Sequence, residues 1–133
     1  MNSRLLVVLL AVFPLWAQVR FTQGAEKISV EIDEAPGPHP DHSDICEAAV
    51  RAYEALVGFQ TDHPTPYLLR VWNYLDAITQ GDGDAERYRE FCVGRARGLG
   101  RFDPSGLPAA TAIGRCDGRR TLQVYWLSVN EAA

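Results

Sequence analysis

The chain is short of the patterns that announce chemistry. No two of its three cysteines stand as CxxC, which removes a thioredoxin-like redox pair, a zinc knuckle and a haem attachment. There is no GxSxG, hence no strand-to-helix nucleophile elbow. Neither GxxxxGK[ST] nor a GxGxxG following a strand occurs, so the backbone cradles of nucleotide phosphates are not signalled. Lysine is nearly absent, with Lys27 alone against twelve arginines. The longest apolar run, Leu5 to Ala17, has 13 residues and contains Pro14, short of the roughly 20 that cross a bilayer. No internal repeat and no low-complexity stretch is present.

What is there begins with that run. Arg4 precedes it, Gln18 and Arg20 end it, and small residues follow at Gly24 and Ala25. This is the layout of a secretory leader. Residues 1–25 are therefore expected to be a signal peptide, with residues 26–133 forming one small globular domain that is secreted or periplasmic and not stably inserted in a membrane after cleavage. An oxidising compartment favours pairing of two cysteines. Cys46 and Cys92 fall on the apolar faces of expected helices, and a bridge between them would contribute about 2–4 kcal/mol.

The expected fold class is α+β: one short strand, three antiparallel helices and a C-terminal hairpin. Residues 27–33 alternate apolar and polar, the mark of a half-buried strand. Pro36, Pro38 and Pro40 make a stiff connector. Asp44 with Glu47 resembles a capping box, opening a helix with Ile45, Ala49, Tyr53 and Leu56 on one stripe and Gly58 as its stop. Thr65-Pro66 reads as the start of a second helix carrying Leu68, Val71, Trp72, Leu75 and Ile78. Asp84 opens a third, with Tyr88, Phe91, Cys92, Arg95 and Leu99 on one face. Asp117-Gly118 between two strand-like runs gives the hairpin turn.

Three constellations bear on function. His39, Asp41, His42 and Asp44 lie within one loop and are the candidate metal ligands, although proline between them restricts their convergence. Gly81-Asp82-Gly83-Asp84 fails as a calcium loop, because Arg87 and Val93 stand where a glycine and a glutamate belong. The third is charge. From Glu26 to Glu86 thirteen acids face three bases, while from Arg87 to Glu131 eight arginines face four acids. Arg87, Arg89, Arg95, Arg97 and Arg101 crowd the third helix, and Arg119 and Arg120 crowd the hairpin tip.

For an exported protein of net charge −4, nucleic acid is excluded as a partner, and an arginine face would meet an acidic protein or an anionic envelope component. Ser105, the cysteines and His63 beside Asp62 are nucleophile or base candidates by residue type alone. The pattern resembles small exported disulfide-bearing proteins. The expectation is accordingly a non-catalytic binding or inhibitory protein without a cofactor, acting through an arginine and aromatic surface. The alternatives are a metal-binding protein built on the His39/His42 loop and a small hydrolase.

Overall fold

Ile28, Val30 and Ile32 are buried while Ser29, Glu31 and Asp33 point the other way, and this alternation sets the middle of a sheet against a layer of two helices. The computed structural model describes residues 4–7, 20–23, 28–35, 37, 43–61, 67–101 and 108–129; of 4–7, 20–23 and 129 it describes the backbone alone. In chain order the elements are β1 (Arg4–Val7), β2 (Arg20–Gln23), β3 (Ile28–Asp33), α1 (Asp44–Thr61), β4 (Tyr67–Asp76), α2 (Arg87–Leu99), β5 (Ala109–Arg115) and β6 (Thr121–Val129). A single 3-10 turn at Gly83–Ala85 precedes α2. The strands form one sheet in the order β1-β2-β3-β6-β4-β5. Its pairings are antiparallel except for β4 with β5.

This corrects the expected three helices and terminal hairpin. The segment read as a second helix is β4. Its buried positions Val71, Asn73 and Leu75 alternate with half-buried Trp72 and Tyr74. Because side chains on both faces of this strand are large and apolar, the run also satisfied a helical spacing, and β-branched and aromatic content was the better guide. The two C-terminal strands do not pair with each other: β4 lies between them, parallel to β5 and antiparallel to β6. A parallel pair needs a long crossover, and α2 supplies it. Gly118 does adopt a positive φ of 72°, and the Arg119 amide donates to Asp117 Oδ1 at 3.1 Å, but the turn leads across the sheet end instead of closing a hairpin.

Helix boundaries also shift for local reasons. Ser43, not Asp44, caps α1, its Oγ accepting from the Cys46 amide at 3.3 Å. Gly58 does not stop the helix, which runs on to Thr61. Asp84 lies in the 3-10 turn, and Glu86 is the N-cap residue of α2. The leader remains unshown: residues 8–19 and 24–27 lie outside the described residues, while Arg20–Gln23 pairs with β3. No helix among the described residues is long and apolar enough to cross a membrane.

The core sits between the helices and one sheet face. Ile28, Val30, Ile32, Val71, Leu75, Leu122, Val124 and Trp126 from the sheet meet Ile45, Ala49, Ala52, Leu56 and Phe91 from the helices. The Trp126 indole N–H donates to Gln60 Oε1 at 2.9 Å, which satisfies both buried polar ends. α1 and α2 approach closely because Gly94 and Gly98 present no side chain to α1. The sheet's other face keeps Trp72, Tyr74 and Tyr125 half-buried, with Tyr74 edge-on to Tyr125 at 5.6 Å between centroids and the Arg70 guanidinium 5.4 Å from the Trp72 ring.

Candidate functional site

The polar centre of the helix side is built around Asn73, fully buried in the middle of β4. Its Oδ1 accepts from the Tyr53 hydroxyl at 2.5 Å, and its Nδ2 donates to the Thr111 carbonyl at 3.1 Å. Tyr53 comes from α1, whose apolar stripe carries the ring into the core, where it meets Phe91 edge-on. Burial pushes the Tyr53 hydroxyl up to about 12, while the nearby Arg95 charge and hydrogen bonds to Asn73 and Arg95 pull in the opposite direction. Tyr53 is therefore a neutral group across the physiological range. It positions its neighbours and does not trade protons.

Arg95 extends from α2 to the same place. Tyr53, Leu68, Val71, Arg95, Leu99, Pro108 and Ala110 line a cavity of about 120 Å³ between α2 and the start of β4 and β5. The Arg95 charge lies near enough to the Tyr53 hydroxyl to pull that group's pKa down, and among the described residues its buried Nε has no hydrogen-bond partner. An unsatisfied N–H on a charged group in an apolar setting is costly, so this nitrogen marks where an acceptor belongs.

A second, more polar groove of about 450 Å³ opens at the end of the sheet, with Glu34, Asp44, Gln80, Arg87 and Arg120 among its walls. Arg87 ties it together, its guanidinium lying 2.8 Å from Glu34 Oε1 and its Nε donating to the Asp76 carbonyl at 3.0 Å. Arg120 donates to Gln80 Oε1 at 3.1 Å. Asp44, one of the candidate metal ligands, lines this groove together with Arg87 and Arg120. His39, Asp41 and His42 lie outside the described residues, and among the described residues no group of three or more metal-ligating side chains comes together.

The arginines expected to form one partner-binding face are distributed over several jobs. Arg87 and Arg120 share the polar groove. Arg119 pairs with Glu31 at 3.0 Å, and Arg89 pairs with Asp84 at 2.9 Å on the exposed side of α2. Arg97 and Arg101 are exposed, whereas Arg95 turns inward. Cys46, Cys92 and Cys116 are free thiols in the structure, so the expected Cys46–Cys92 bridge is not shown. Burial raises the pKa of Cys46, which makes it a poor nucleophile, and the Cys92 thiol meets the Tyr88 hydroxyl, raising the Tyr88 pKa. Sequence reasoning counted Tyr53 only as core and gave Asn73 no role. The one available signal was an amide side chain inside an otherwise apolar and aromatic run.

Comparison with known proteins gives this architecture a context. The family model described as "Chorismatase FkbO/Hyg5-like, N-terminal" matches residues 18–128. A chorismatase of Streptomyces hygroscopicus is 52% identical over 52 residues, an alignment covering 37% of this chain and 15% of that protein. A chorismatase of Streptomyces rapamycinicus is 50% identical over 52 residues, covering 37% and 16% respectively. Among solved structures, a crystal structure of chorismatase matches with a TM-score of 0.64 at 25% identity, over 86% of this chain and 34% of that one. The chain thus spans about a third of the solved chorismatase and its alignments about a sixth of the curated relatives. These matches overturn the expectation of a non-catalytic binding or inhibitory protein, and with it the inclination against an enzyme; the small-hydrolase alternative lies closer. The chain belongs to the chorismatase FkbO/Hyg5-like N-terminal family.

Proposed function

We propose that this chain serves as the N-terminal domain of a chorismate-hydrolysing enzyme and takes part in turnover together with the portion that its relatives carry beyond it. The family match over residues 18–128 carries this reading. Hydrolysis of chorismate adds water across the enol ether of its side chain and releases pyruvate and a ring alcohol, so the reaction needs a proton donor and a positioned water. Tyr53, held neutral with a hydroxyl at about 12, is unsuited to that exchange. The contribution of this domain is a rigid sheet whose face away from the helices, with Trp72, Tyr74 and Tyr125 half-buried, packs against the portion that its relatives carry beyond it. Aromatic side chains of that kind supply much of the energy of domain and subunit contacts.

The test is a chimera. Residues 18–128 replace the corresponding segment of the Streptomyces hygroscopicus chorismatase, and pyruvate release from chorismate is measured beside the parent enzyme. Retained hydrolysis within about tenfold of the parent is expected, a loss no larger than about 1.4 kcal/mol in the barrier. A chimera that is folded by circular dichroism and elutes at the parent's size, yet releases no pyruvate, would overturn the assignment.

A further inference from the structure

The cavity beside Arg95 has a chemistry of its own. Its walls are apolar at Leu68, Val71, Leu99, Pro108 and Ala110, and its volume of about 120 Å³ admits a single six-membered ring. Among the described residues that line it, one is a cation, Arg95. The Tyr53 hydroxyl gives its proton to Asn73 Oδ1, so toward the guanidinium it presents lone pairs and acts as acceptor. Among the described residues the buried Nε–H of Arg95 has no hydrogen-bond partner. A carboxylate fits this vacancy best, because guanidinium and carboxylate match in geometry and their charge-assisted hydrogen bonds are about twice as strong as neutral ones.

We infer that this cavity binds a small ring monocarboxylate of benzoate type, with the carboxylate on Arg95 and the ring against Val71 and Leu99. One guanidinium balances one carboxylate. A second carboxylate on the same ligand would be buried without a partner, so the cavity discriminates against dicarboxylates and is distinct from a site for chorismate itself. The inference stands on the geometry of this chain and does not depend on its role in chorismate hydrolysis.

Benzoate is the probe, titrated into the full chain carrying a backbone isotope label and followed by amide NMR. Saturable shifts at Val71, Arg95 and Leu99 are expected, with benzyl alcohol and inorganic phosphate at least about tenfold weaker, since each lacks one half of the recognised chemistry. Arg95→Gln should weaken benzoate by about tenfold or more. Ala110→Phe keeps the guanidinium but fills the cavity mouth, and should abolish binding, which keeps the inference testable if Arg95→Gln fails to fold. Absence of saturable shifts, equal binding by a folded Arg95→Gln, undiminished binding by Ala110→Phe, or a phosphate response equal to that of benzoate would each overturn it.

Discussion

The close approach of α1 and α2 rests on two glycines, and replacing one of them gives a sharp test of the packing. A Cβ added at Gly94 would sit 2.2 Å from the Cys46 carbonyl oxygen and 2.8 Å from Ala49 Cβ. Ordinary van der Waals contact begins near 3.4 Å, so the helices must separate by about 1 Å. The obstructing atom is backbone inside a helix and cannot swing aside. Overpacking costs about 1–3 kcal/mol, and against backbone the upper part of that range, about 2–3 kcal/mol, applies, while Gly to Ala in a helix interior returns about 1 kcal/mol of propensity. Gly94→Ala is therefore expected to lose about 1–2 kcal/mol net, a Tm drop of roughly 4–10 °C for a domain of this size. Gly58→Ala is the internal control, being helical and exposed with nothing within 4 Å of the added carbon. It should gain up to about 1 kcal/mol. Urea unfolding of the two variants beside the parent measures both. If Gly94→Ala matches or exceeds the parent, α1 and α2 do not pack through this glycine, and the helix placement that forms the Arg95 cavity fails with it.

Two further outcomes follow from the buried polar groups. Arg87→Met leaves the Glu34 carboxylate, only 3% exposed, without its cation, and should cost about 3–5 kcal/mol at neutral pH, with Arg87→Met/Glu34→Leu recovering most of it; a double variant no more stable than the single one in urea would contradict the pairing. Tyr53→Phe removes the donor to Asn73 Oδ1 and should cost about 1–3 kcal/mol at pH 7 by thermal melting. Because the Tyr53 hydroxyl is raised to about 12, the unfolded state releases its proton first, near pH 10. Stability is then intact below pH 10 and falls between about pH 10 and pH 12 as the hydroxyl stays protonated only in the fold. Tyr53→Phe should flatten that decline, and identical alkaline slopes for the two proteins would count against a buried neutral Tyr53.

How much of this was legible in the sequence depends on range. The alternation of Ile28, Val30 and Ile32 and the stripe of Ile45, Ala49, Tyr53 and Leu56 are local signals, and a half-buried strand and a helix stand at those residues. The failure at β4 has a physical reason: with Trp72 and Tyr74 on one face and Val71 and Leu75 on the other, apolar residues occupy consecutive positions and period two is obscured. The insertion of β4 between β5 and β6 was illegible, since the pairing partner of a strand is a non-local property and the Asp117-Gly118 turn argued for the nearest neighbour. Arg95 was read both as part of the apolar stripe with Tyr88, Phe91 and Leu99 and as one of the arginines of a partner-binding face, and nothing local says that a cavity lies beneath it. Asn73 acquires meaning only when β4 places it against Tyr53 and Thr111.

The charge asymmetry along the chain resolves inward, and this alters what its arginines imply. The acidic half supplies β3 and α1, the basic half α2, β5 and β6, and the sheet interleaves them by setting β3 beside β6. Glu34 at the end of β3 then meets Arg87 at the start of α2, and Glu31 meets Arg119. The first pair is largely removed from water and fixes how the end of β3 sits against α2, whereas the second is more exposed and is worth about 0–1 kcal/mol. Part of the lopsided charge in sequence is thus a complementarity between two halves of one sheet, joined by these two pairs. Arg95 departs from the pattern: it lines an apolar cavity, with a buried Nε that no described residue satisfies. A cation that meets no anion among the described residues is accounted for if the anion is a ligand.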